Sequence, residues 1–346
     1  MNAREFKLLH RQYELNKREI MHTEIKNTYK VVAYITAYCD QLAINTCLKS
    51  LFSQTYPIDK IIIIDNSPVI LDLEVDPQFQ TKIIVESHPE NIGIAQGLCI
   101  GIEWAINNNY DFLWTFDQDS EPKKDCLEKL LVNYDKLHSE DLPIGVIAPL
   151  SIDIRSEEEL EGAIFDRYRF FSVSKHKNHK TIRSKKQDFY ECDMVITSGS
   201  LVSLQVAQKV DLPNQDLFID AVDWDYCIKF RSQGFRIIVT TQSLMQHNFG
   251  SFVKHRIRRN KELIPVYSYS VMRYYYMFRN HTFIQTRLSR QYNSLHLSVA
   301  HRIQSLIKII ARIMLYEPNE KFAKLWACYR GTFDGFLGKL GKTWSP

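Results

Sequence analysis

The sequence predicts an α/β protein with a largely parallel central sheet, and three observations support this prediction. Short β-branched runs alternate with amphipathic segments through residues 30–137, in the order strand, helix, strand, strand, helix, strand, helix. The run KIIIID is apolar enough to be buried on both faces, as strands of parallel sheets are. Three of the predicted strands end in polar residues, and such sheets bind ligands beyond the carboxyl ends of their strands.

These elements follow one another in a regular order. YKVVAYITAY is the first predicted strand, and QLAINTCLKSLFSQT has apolar residues at roughly helical spacing. KIIIIDNSP and TKIIVESH are the second and third strands, and GIAQGLCIGIEWAINNN is the second helix. YDFLWTFDQD is the fourth strand, and CLEKLLVNYDKL is the third helix. The polar strand ends are residues 36–40, 65–67 and 117–119.

The second half is more irregular. Residues 151–190 are polar and are predicted to form a loop or a strand excursion over the site. DMVITSGSLVSLQVAQKV is typical of a strand, a Ser-Gly-Ser turn and a helix, in that order. RIIVTTQSLMQHNFGS predicts strands that end at His247 and Gly250, and helical spacing dominates after Tyr267.

Length and composition indicate a globular protein. The chain has 346 residues, of which 45% are apolar and 24% charged, which is enough for one large domain or two smaller ones. It has no apolar run of about 18 residues, as a membrane-spanning helix needs. The charged N-terminus lacks the apolar stretch of a signal peptide. The seven cysteines include no Cys-x-x-Cys pair, which predicts reduced thiols, a cytoplasmic location and no zinc site.

Charge is distributed unevenly along the chain. The net charge is +4, but residues 251–346 contain 17 Lys and Arg against 4 Asp and Glu. The other 250 residues contain 27 basic and 36 acidic residues. This asymmetry indicates a basic region that contacts an anionic partner, either nucleic acid or a membrane surface. The alternative is a solvated basic face.

Asp117 and Asp119 are separated by one residue at a predicted strand end, so both carboxylates can reach the same ion. Oxygen ligands suit magnesium or manganese, and magnesium commonly takes one or two carboxylates besides water and phosphate oxygens. The pair therefore suits a metal that itself holds a diphosphate, with His247 as a further ligand or a phosphate contact. The alternative is a turn at Asp117 and a helix cap at Asp119.

Asp220, Asp223 and Asp225 lie within six residues, before a predicted helix that stops at Gly234. A carboxylate near a diphosphate-bearing substrate can act as a general base on an attacking hydroxyl. The alternative for Asp223 or Asp225 is capping of the helix. Because three acids exceed what one cap requires, the sequence favours a catalytic role for at least one of them.

Six segments in this order resemble the family 2 glycosyltransferases of the GT-A fold, and specifically their bacterial rhamnosyltransferase branch. VVAYITAYCD resembles the first nucleotide-binding strand, and CLKSLFSQTYPIDKIIIIDNSP the following helix and strand. ENIGIAQGLCIGIEWA resembles the Asn-x-Gly helix start, and FDQDSEP the Asp-x-Asp metal motif. TSGSLVSLQVAQKVDLPNQDLFIDAVDWDYCIKFRSQGF resembles the acceptor and base region, and YYYMFRNHTFI a segment after the core of the rhamnosyl branch.

The resemblance implies a role for each matching position. Asp117 and Asp119 would hold Mg or Mn, and His247 matches a histidine that faces the metal and the phosphates. Asp223 falls where the family's Glu-Asp pair carries its base, but a valine replaces the Glu, so Asp220 remains a rival. The residues implied to contact the nucleotide sugar are Thr36, Tyr38 and Asp65 at the base and ribose, Asn91 and Gly93 in the nucleotide pocket, Ser198, Gly199 and Ser200 near the sugar, and Asp117 and Gln118.

The implied activity is an inverting, metal-dependent sugar transfer to a hydroxyl of a glycan or lipid-linked saccharide in bacterial surface polysaccharide synthesis. The branch favours dTDP-L-rhamnose as the donor, and a UDP-hexose is the alternative. A non-catalytic nucleotide-sugar-binding assembly partner and a nucleic-acid-binding protein are alternatives of other classes. The three aspartates at positions 117, 119 and 223 argue against the first, and the acidic α/β half argues against nucleic acid as a partner.

The predicted organisation has three parts. Residues 1–28 form an N-terminal helical segment, residues 29–250 a GT-A catalytic domain with a Rossmann-like sheet flanked by helices, and residues 251–346 a basic, mainly helical extension. The basic run FVKHRIRRNKE suits diphosphates of the donor or of a lipid acceptor. The amphipathic helix predicted at residues 295–316 either lies on an anionic membrane or packs on the catalytic domain or a second subunit. The expected location is the cytoplasm, with peripheral contact to the inner face of the cell membrane.

Overall fold

The computed structural model describes residues 28–139, 141–175, 188–248, 251–256 and 263–344. The helical segment predicted at residues 1–28 lies outside the described residues except for its last position. Most of the basic run FVKHRIRRNKE lies outside them as well.

A central mixed sheet organises the molecule. Its principal strands lie side by side in the order β10-β12-β6-β11-β4-β1-β2-β3. Strands β4, β1, β2 and β3 run parallel to one another, β12 runs parallel to β6, and β11 is antiparallel to both of its neighbours. The strands are β1 (Val31–Ala37), β2 (Lys60–Asp65), β3 (Ile83–Ser87), β4 (Phe112–Asp117), β5 (Ser120–Pro122), β6 (Ile144–Asp153), β7 (Glu159–Leu160), β8 (Ala163–Asp166), β9 (Arg169–Ser172), β10 (Phe189–Glu191), β11 (Leu201–Ser203), β12 (Arg236–His247), β13 (Ser251–Arg256) and β14 (Leu263–Ser268).

Helices cover both faces of this sheet and form a bundle after it. The helices are α1 (Gln41–Phe52), α2 (Gly93–Asn107), α3 (Cys126–Leu137), α4 (Leu204–Ala207), α5 (Val222–Ser232), α6 (Val271–Gln291), α7 (Leu295–Tyr316) and α8 (Lys321–Leu337). Short 3₁₀ turns lie at Pro77–Lys82, Val173–Lys175 and Gln215–Leu217. The mixed α/β fold with a helical C-terminal region confirms the predicted fold class.

The sheet separates two hydrophobic cores, because successive residues of a strand point to opposite faces. In β1, Val32 and Tyr34 contribute to the core under α2 and α5, whereas Val31, Ala33 and Ile35 contribute to the core under α1 and α3. All seven residues of β1 are buried, as expected for a strand covered on both faces.

The glycines of α2 explain its close packing on β1. A Cβ on Gly101 would lie 2.5 Å from the Tyr34 ring, and one on Gly97 would lie 2.9 Å from the Tyr34 hydroxyl. The helix can therefore approach the sheet only because these positions lack side chains. This approach brings the first turn of α2 to the carboxyl ends of β1 and β2.

Three local predictions need correction. The Ser-Gly-Ser turn precedes β11 rather than following a strand, since residues 195–200 carry no regular strand. Asp223 and Asp225 lie in the first turn of α5, not before the helix. The basic C-terminal region also begins with the antiparallel hairpin β13–β14. Turns and short hairpins do not produce a regular spacing of apolar residues, so the sequence predicts them poorly.

The C-terminal bundle packs α6 between the sheet domain and α8. The core of the bundle contains consecutive tyrosines of α6, Tyr274, Tyr275 and Tyr276, which are buried together with Ile313 and Cys328. Within the described residues, none of the helices has both the length and the apolar character needed to cross a bilayer.

Candidate active site

The carboxyl ends of β1, β2 and β4 open into a cleft of about 320 Å³. The register of the sheet places Thr36 beside Asp117, because β1 and β4 are paired in parallel up to these two residues. The start of α2, the loop before α5, the end of β12 and the first turn of α6 complete the walls. The lining residues are Thr36, Ala37, Tyr38, Asn66, Asn91, Gly93, Ile94, Asp117, Gln118, Asp119, Ile219, Asp220, His247, Met272 and Arg273.

Asp117, Asp119 and His247 converge in this cleft. One ligand atom from each lies within 4.8 Å of the other two. His247 Nδ1 is 3.5 Å from Asp119 Oδ1, and His247 Nε2 is 4.0 Å from Asp117 Oδ2. The antiparallel pairing of β12 with β5 brings His247 opposite Ser120, and this pairing carries the histidine to the two aspartates.

Two buried serines support this cluster from behind. Ser120 Oγ lies 2.6 Å from His247 Nδ1 and 2.6 Å from Ser198 Oγ. Ser198 Oγ also accepts a hydrogen bond from the backbone N–H of Asp117. When His247 Nδ1 donates to Ser120, the Nε2 lone pair faces Asp117, which is the arrangement that a metal-binding histidine needs.

The electrostatics of the cluster fit a divalent cation. Burial and the neighbouring Asp117 raise the pKa of Asp119 to about 6, and His247 opposes this shift. Two carboxylates this close repel each other in the ionised state, and a cation removes that repulsion. Two carboxylate oxygens and one imidazole nitrogen suit magnesium or manganese, so the residues present fit the predicted metal.

The loop that carries Asp220 has an unusual backbone. Phe218, Asp220 and Ala221 have φ angles of 65°, 61° and 60°, a left-handed region that non-glycine residues rarely adopt. Each such residue costs about 1–3 kcal/mol and persists only where surrounding contacts enforce it. This loop leads directly into α5, so its conformation sets the positions of both Asp220 and Asp223.

Two side chains of α6 hold this loop in its conformation. The Nδ2 group of Asn280 donates to the carbonyls of Leu217, Ile219 and Asp220, at 2.9, 2.7 and 2.8 Å. Arg279 donates through Nη2 to the Leu217 carbonyl at 3.0 Å and contacts Asn280 Oδ1 through Nε. Both side chains are fully buried. We call Arg279 and Asn280 the α6 clamp.

Asp220 and Asp223 have different electrostatic environments. Asp220 pairs with Arg273, whose Nε lies 3.5 Å from Asp220 Oδ1, and burial raises the Asp220 pKa against the effect of this guanidinium. Burial, Asp220 and Asp117 raise the pKa of Asp223 to about 7, opposed by a hydrogen bond from the Trp224 N–H. A carboxylate with a pKa near neutrality is suited to accept and release a proton.

A second cavity of about 250 Å³ adjoins the cleft. The two share Ile94, Asp117, Asp220, His247 and Arg273, which therefore lie at their boundary. Of these two cavities, only the second is lined by Asp223. Trp224 and His281 also line it, with their rings stacked at 4.1 Å. Burial lowers the pKa of His281 to about 3, so this wall is uncharged at neutral pH.

Comparison with known proteins identifies the family. Residues 33–202 match the family described as Glycosyl transferase family 2. These residues, just under half of the chain, carry the sequence pattern of glycosyltransferase family 2. This glycosyltransferase is 25% identical over 252 residues to the dTDP-rhamnosyl transferase RfbF of Shigella flexneri, covering 72% of this chain and 77% of that protein.

A solved structure supports the fold of the glycosyltransferase. A crystal structure of GalNAc-T7 with UDP, GalNAc and Mn2+ matches it with a TM-score of 0.50 and 14% identity, over 64% of this chain. The match spans only 44% of that longer chain. At this identity the likeness shows the fold, which is GT-A.

Most of the residues implied to bind the nucleotide do line the cleft of the glycosyltransferase. Thr36 and Tyr38 lie on one side, and Asn91 and Gly93 at the start of α2 on the other. Gln118 lines the cleft, but its side-chain amide is hydrogen-bonded to the backbone N–H and carbonyl of Tyr38. Gln118 therefore joins the ends of β1 and β4.

Gly93 is required at this wall of the cleft, because the backbone of Phe218 approaches it closely. The φ angle of Gly93 is 81°, and a Cβ there would lie 2.5 Å from the carbonyl oxygen of Phe218. The Ala95 N–H donates to that same carbonyl. The start of α2 is thus in direct contact with the strained loop.

Four implied residues are placed differently from the expectation. Asp65 is buried and lies outside the cleft lining, because its carboxylate accepts hydrogen bonds from the backbone of Ser67 and Leu71. Ser198 lies behind Asp117, as described above. Gly199 and Ser200 are buried: the Gly199 N–H donates to the Thr115 carbonyl in β4, and the Ser200 hydroxyl donates to the Ile196 carbonyl of its own loop.

Sequence reasoning missed several residues of the site. Asn66 and Met272 line the cleft, and Arg273 is the only Lys or Arg among the described residues that line it. Ser270 caps the helix that carries Arg273, since its side chain accepts the Arg273 N–H. This cap is a signal for where α6 starts, but nothing local indicates that the helix starts at the cleft.

Proposed function

We propose that this glycosyltransferase transfers L-rhamnose from dTDP-L-rhamnose, with inversion, to a hydroxyl of a glycan or lipid-linked saccharide in bacterial surface polysaccharide synthesis. The convergence of Asp117, Asp119 and His247 beside Asp223 carries the proposal, because it combines a metal-binding cluster with a candidate base. The similarity to a protein named dTDP-rhamnosyl transferase supports the choice of donor. A UDP-hexose is the alternative donor.

The first cleft suits the donor. Thr36, Tyr38, Asn91 and Gly93 would surround the nucleoside at the carboxyl ends of the strands, as in other parallel sheets. Mg or Mn held by Asp117, Asp119 and His247 would supply positive charge to the diphosphate as it departs.

The second cavity suits the acceptor. Asp223 would take the proton of an acceptor hydroxyl in this cavity, and the resulting oxygen would attack the anomeric carbon. The new C–O bond forms as the bond from that carbon to the diphosphate oxygen breaks on the opposite face, which inverts the configuration. The Trp224 ring, which stacks on the uncharged His281 ring, would give the acceptor an apolar wall.

Asp223 is favoured over Asp220 as the base. Asp220 already pairs with Arg273, and a guanidinium neighbour weakens a carboxylate as a proton acceptor. Asp223 lies in the second cavity and has no ion pair with a cation among the interactions of the described residues. We therefore assign Asp220 to holding Arg273.

We infer that Arg273 binds the donor diphosphate, since it is the described cationic side chain at the boundary of the two cavities. Arg273→Gln is expected to weaken dTDP binding by about 10- to 100-fold, the effect of a lost charge-assisted hydrogen bond. Thymidine, which lacks phosphates, should bind the variant as it binds the wild type. Titration calorimetry with both compounds measures this.

Arg287→Gln is the matched control, because Arg287 lies on the same helix and is exposed away from the cleft. Equal losses of dTDP and thymidine affinity in Arg273→Gln would contradict a phosphate role and indicate a disturbed pocket.

Thermal shift with manganese and a panel of nucleotide sugars tests the donor and the metal. A donor at 100 times its dissociation constant stabilises a protein by about 2.7 kcal/mol, which corresponds to roughly 4 °C for a chain of this length. We expect dTDP-L-rhamnose to give this shift, and both a chelator and Asp119→Asn to remove most of it. A shift with UDP-hexoses alone would support the alternative donor.

Manganese-dependent hydrolysis of the bound donor separates an enzyme from a binding partner. Donor binding without hydrolysis or transfer to any acceptor would support the alternative of a non-catalytic assembly partner. Asp125→Asn is a suitable control for the metal experiments, because Asp125 pairs with Lys129 on the surface before α3.

We propose that residues 29–250 are the catalytic domain and that residues 251–346 bring the glycosyltransferase to an anionic membrane surface at the inner face of the cell membrane. A lipid-linked acceptor would be presented there. The excess of Lys and Arg in this region supports the proposal.

A further inference from the structure

Helix α8 carries its large apolar side chains on the outside of the bundle. Five of them follow one another at steps of four, three, four and four residues, so they form one stripe along about 22 Å of helix. Each is more than half exposed: Phe322, Trp326, Tyr329, Phe333 and Leu337. We call this the α8 stripe.

The opposite face of α8 is made of small residues and packs on α6. A Cβ on Gly331 would lie 2.3 Å from the Tyr275 carbonyl oxygen, and one on Gly335 would lie 2.4 Å from the Arg279 carbonyl oxygen. A surface helix normally buries its large apolar residues and exposes its polar ones. Because α8 reverses this pattern, its outer stripe is available to an apolar environment outside the chain.

Helix α7, which precedes α8 in the chain, has a second stripe of exposed apolar side chains. Ile303, Ile307, Ile310 and Met314 are exposed at helical spacing. On the other side, Ile309 and Ile313 are buried against the bundle. The apolar face of the amphipathic helix predicted at residues 295–316 is thus largely exposed and does not pack on the catalytic domain.

The surroundings of the two stripes are positively charged. Residues 271–346 contain twelve Lys and Arg but three acids. Two of these acids are buried in ion pairs, Glu317 with Lys324 and Asp334 with Arg330. Glu320 is the remaining acid. The exposed cations among the described residues of this region are Arg287, Arg290, Lys308, Arg330, Lys339 and Lys342.

We propose that the outward faces of α7 and α8 lie on an anionic lipid surface, with the aromatic side chains of the α8 stripe at the level of the headgroups. Helices that bind at the membrane interface typically carry Trp, Tyr and Phe beside basic residues. Anionic lipid complements this charge, whereas a second copy would bring two basic surfaces together. The inference rests on the membrane contact proposed above and assigns it to particular side chains.

This contact fixes the orientation of the active site. Helix α6 carries α8 along its length and places Arg273 in the cleft at its first turn. Since α6 has 21 residues, the cleft lies no more than about 30 Å from the bundle end of the helix. An acceptor headgroup extending from the same membrane leaflet would reach the second cavity over such a distance.

Vesicle sedimentation of the whole chain tests the proposal. We expect wild type to bind vesicles of equal parts phosphatidylglycerol and phosphatidylcholine at least tenfold more strongly than phosphatidylcholine alone. The double variant Trp326→Glu with Phe333→Glu should bind the anionic vesicles at least tenfold more weakly than wild type. Leu142→Glu is the matched control, because Leu142 is 57% exposed in a loop of the sheet domain. It should bind as wild type does.

Several results would overturn the proposal. Wild type that binds neither vesicle, or a double variant that binds like wild type, contradicts it. A wild-type dimer in sedimentation velocity that the double variant dissociates, without vesicle binding, would assign the α8 stripe to self-association. Donor hydrolysis in lipid-free buffer should be equal in all three proteins. If hydrolysis is absent from all of them while vesicle binding follows the expected pattern, the proposed activity fails and the membrane contact stands.

Discussion

Asp223→Asn is expected to lower the rate of sugar transfer by about 10²- to 10⁴-fold, the usual contribution of a general base. Donor affinity should stay within a few-fold of wild type, because Asp223 lies in the second cavity and outside the cleft lining. In wild type, transfer should fall as the pH drops through neutrality, since protonated Asp223 accepts no proton. Initial rates across pH and calorimetric donor titrations measure both effects.

The same substitution should stabilise the metal-free protein in alkaline buffer. The pKa of Asp223 is about 7 in the folded chain, against about 3.9 when unfolded. Ionisation therefore costs the folded state about 2–4 kcal/mol once the pH exceeds 7, and this cost vanishes below pH 4, where both states are protonated. Asparagine has no such cost, so its advantage in the free energy of unfolding should grow from acidic to alkaline buffer.

Asp225→Asn is the control for Asp223→Asn. Asp225 lies in the same helical turn, but it pairs with Lys229 at 2.7 Å and accepts the Asn214 N–H. Its replacement should lower stability and spare transfer. If Asp220→Asn abolished transfer while Asp223→Asn retained it, the base would be Asp220 and our assignment would be wrong.

Asn280→Ala is expected to lower the free energy of unfolding by about 3–5 kcal/mol. It removes the two amide N–H groups that serve the carbonyls of Leu217, Ile219 and Asp220, and each buried group left without a partner costs about 1–3 kcal/mol. It also releases the strained loop, so transfer should fall well below the wild-type rate even at temperatures where the variant is folded. Denaturant unfolding and steady-state kinetics at low temperature measure these two losses.

Asn45→Ala is the matched control for the clamp. Asn45 is also buried, but it accepts a single backbone hydrogen bond, from Glu74, away from the acidic loop. It should lose about 1 kcal/mol and no catalytic rate. If Asn280→Ala lost stability alone and kept the pH profile and turnover of wild type, the clamp would be structural without positioning Asp220 and Asp223.

The elements that were predictable are those with strong local patterns. The strand containing Ile61 to Ile64 and the helix from Cys126 to Leu137 lie where the hydrophobic spacing places them. The cluster of Asp117, Asp119 and His247 was predictable in part, because the two aspartates lie at the end of a buried strand and parallel sheets bind ligands at that edge. His247 was a candidate from its place at a later strand end and from the resemblance, but its approach to the two aspartates depends on the pairing of β12 with β5.

Other features of the site depend on contacts between distant residues. Asp65 is the last residue of a strand as Asp117 is, but its carboxylate is hydrogen-bonded to the backbone of a local turn, and spacing alone does not distinguish the two. Arg273 and Asn280 reach the site through the packing of α6, more than 50 residues after the acidic loop begins. No local pattern encodes such a contact. The outward stripes have helical spacing, yet spacing does not say which side of a helix faces the protein.

The α6 clamp has a consequence for exchanging parts between enzymes of this family. A chimera that joined residues 29–250 to a foreign C-terminal segment would keep every acidic group of the site but lose Arg273 and Asn280. Its acidic loop would be free to relax to ordinary backbone angles. The smallest portable catalytic unit of this chain therefore extends through at least the first half of α6.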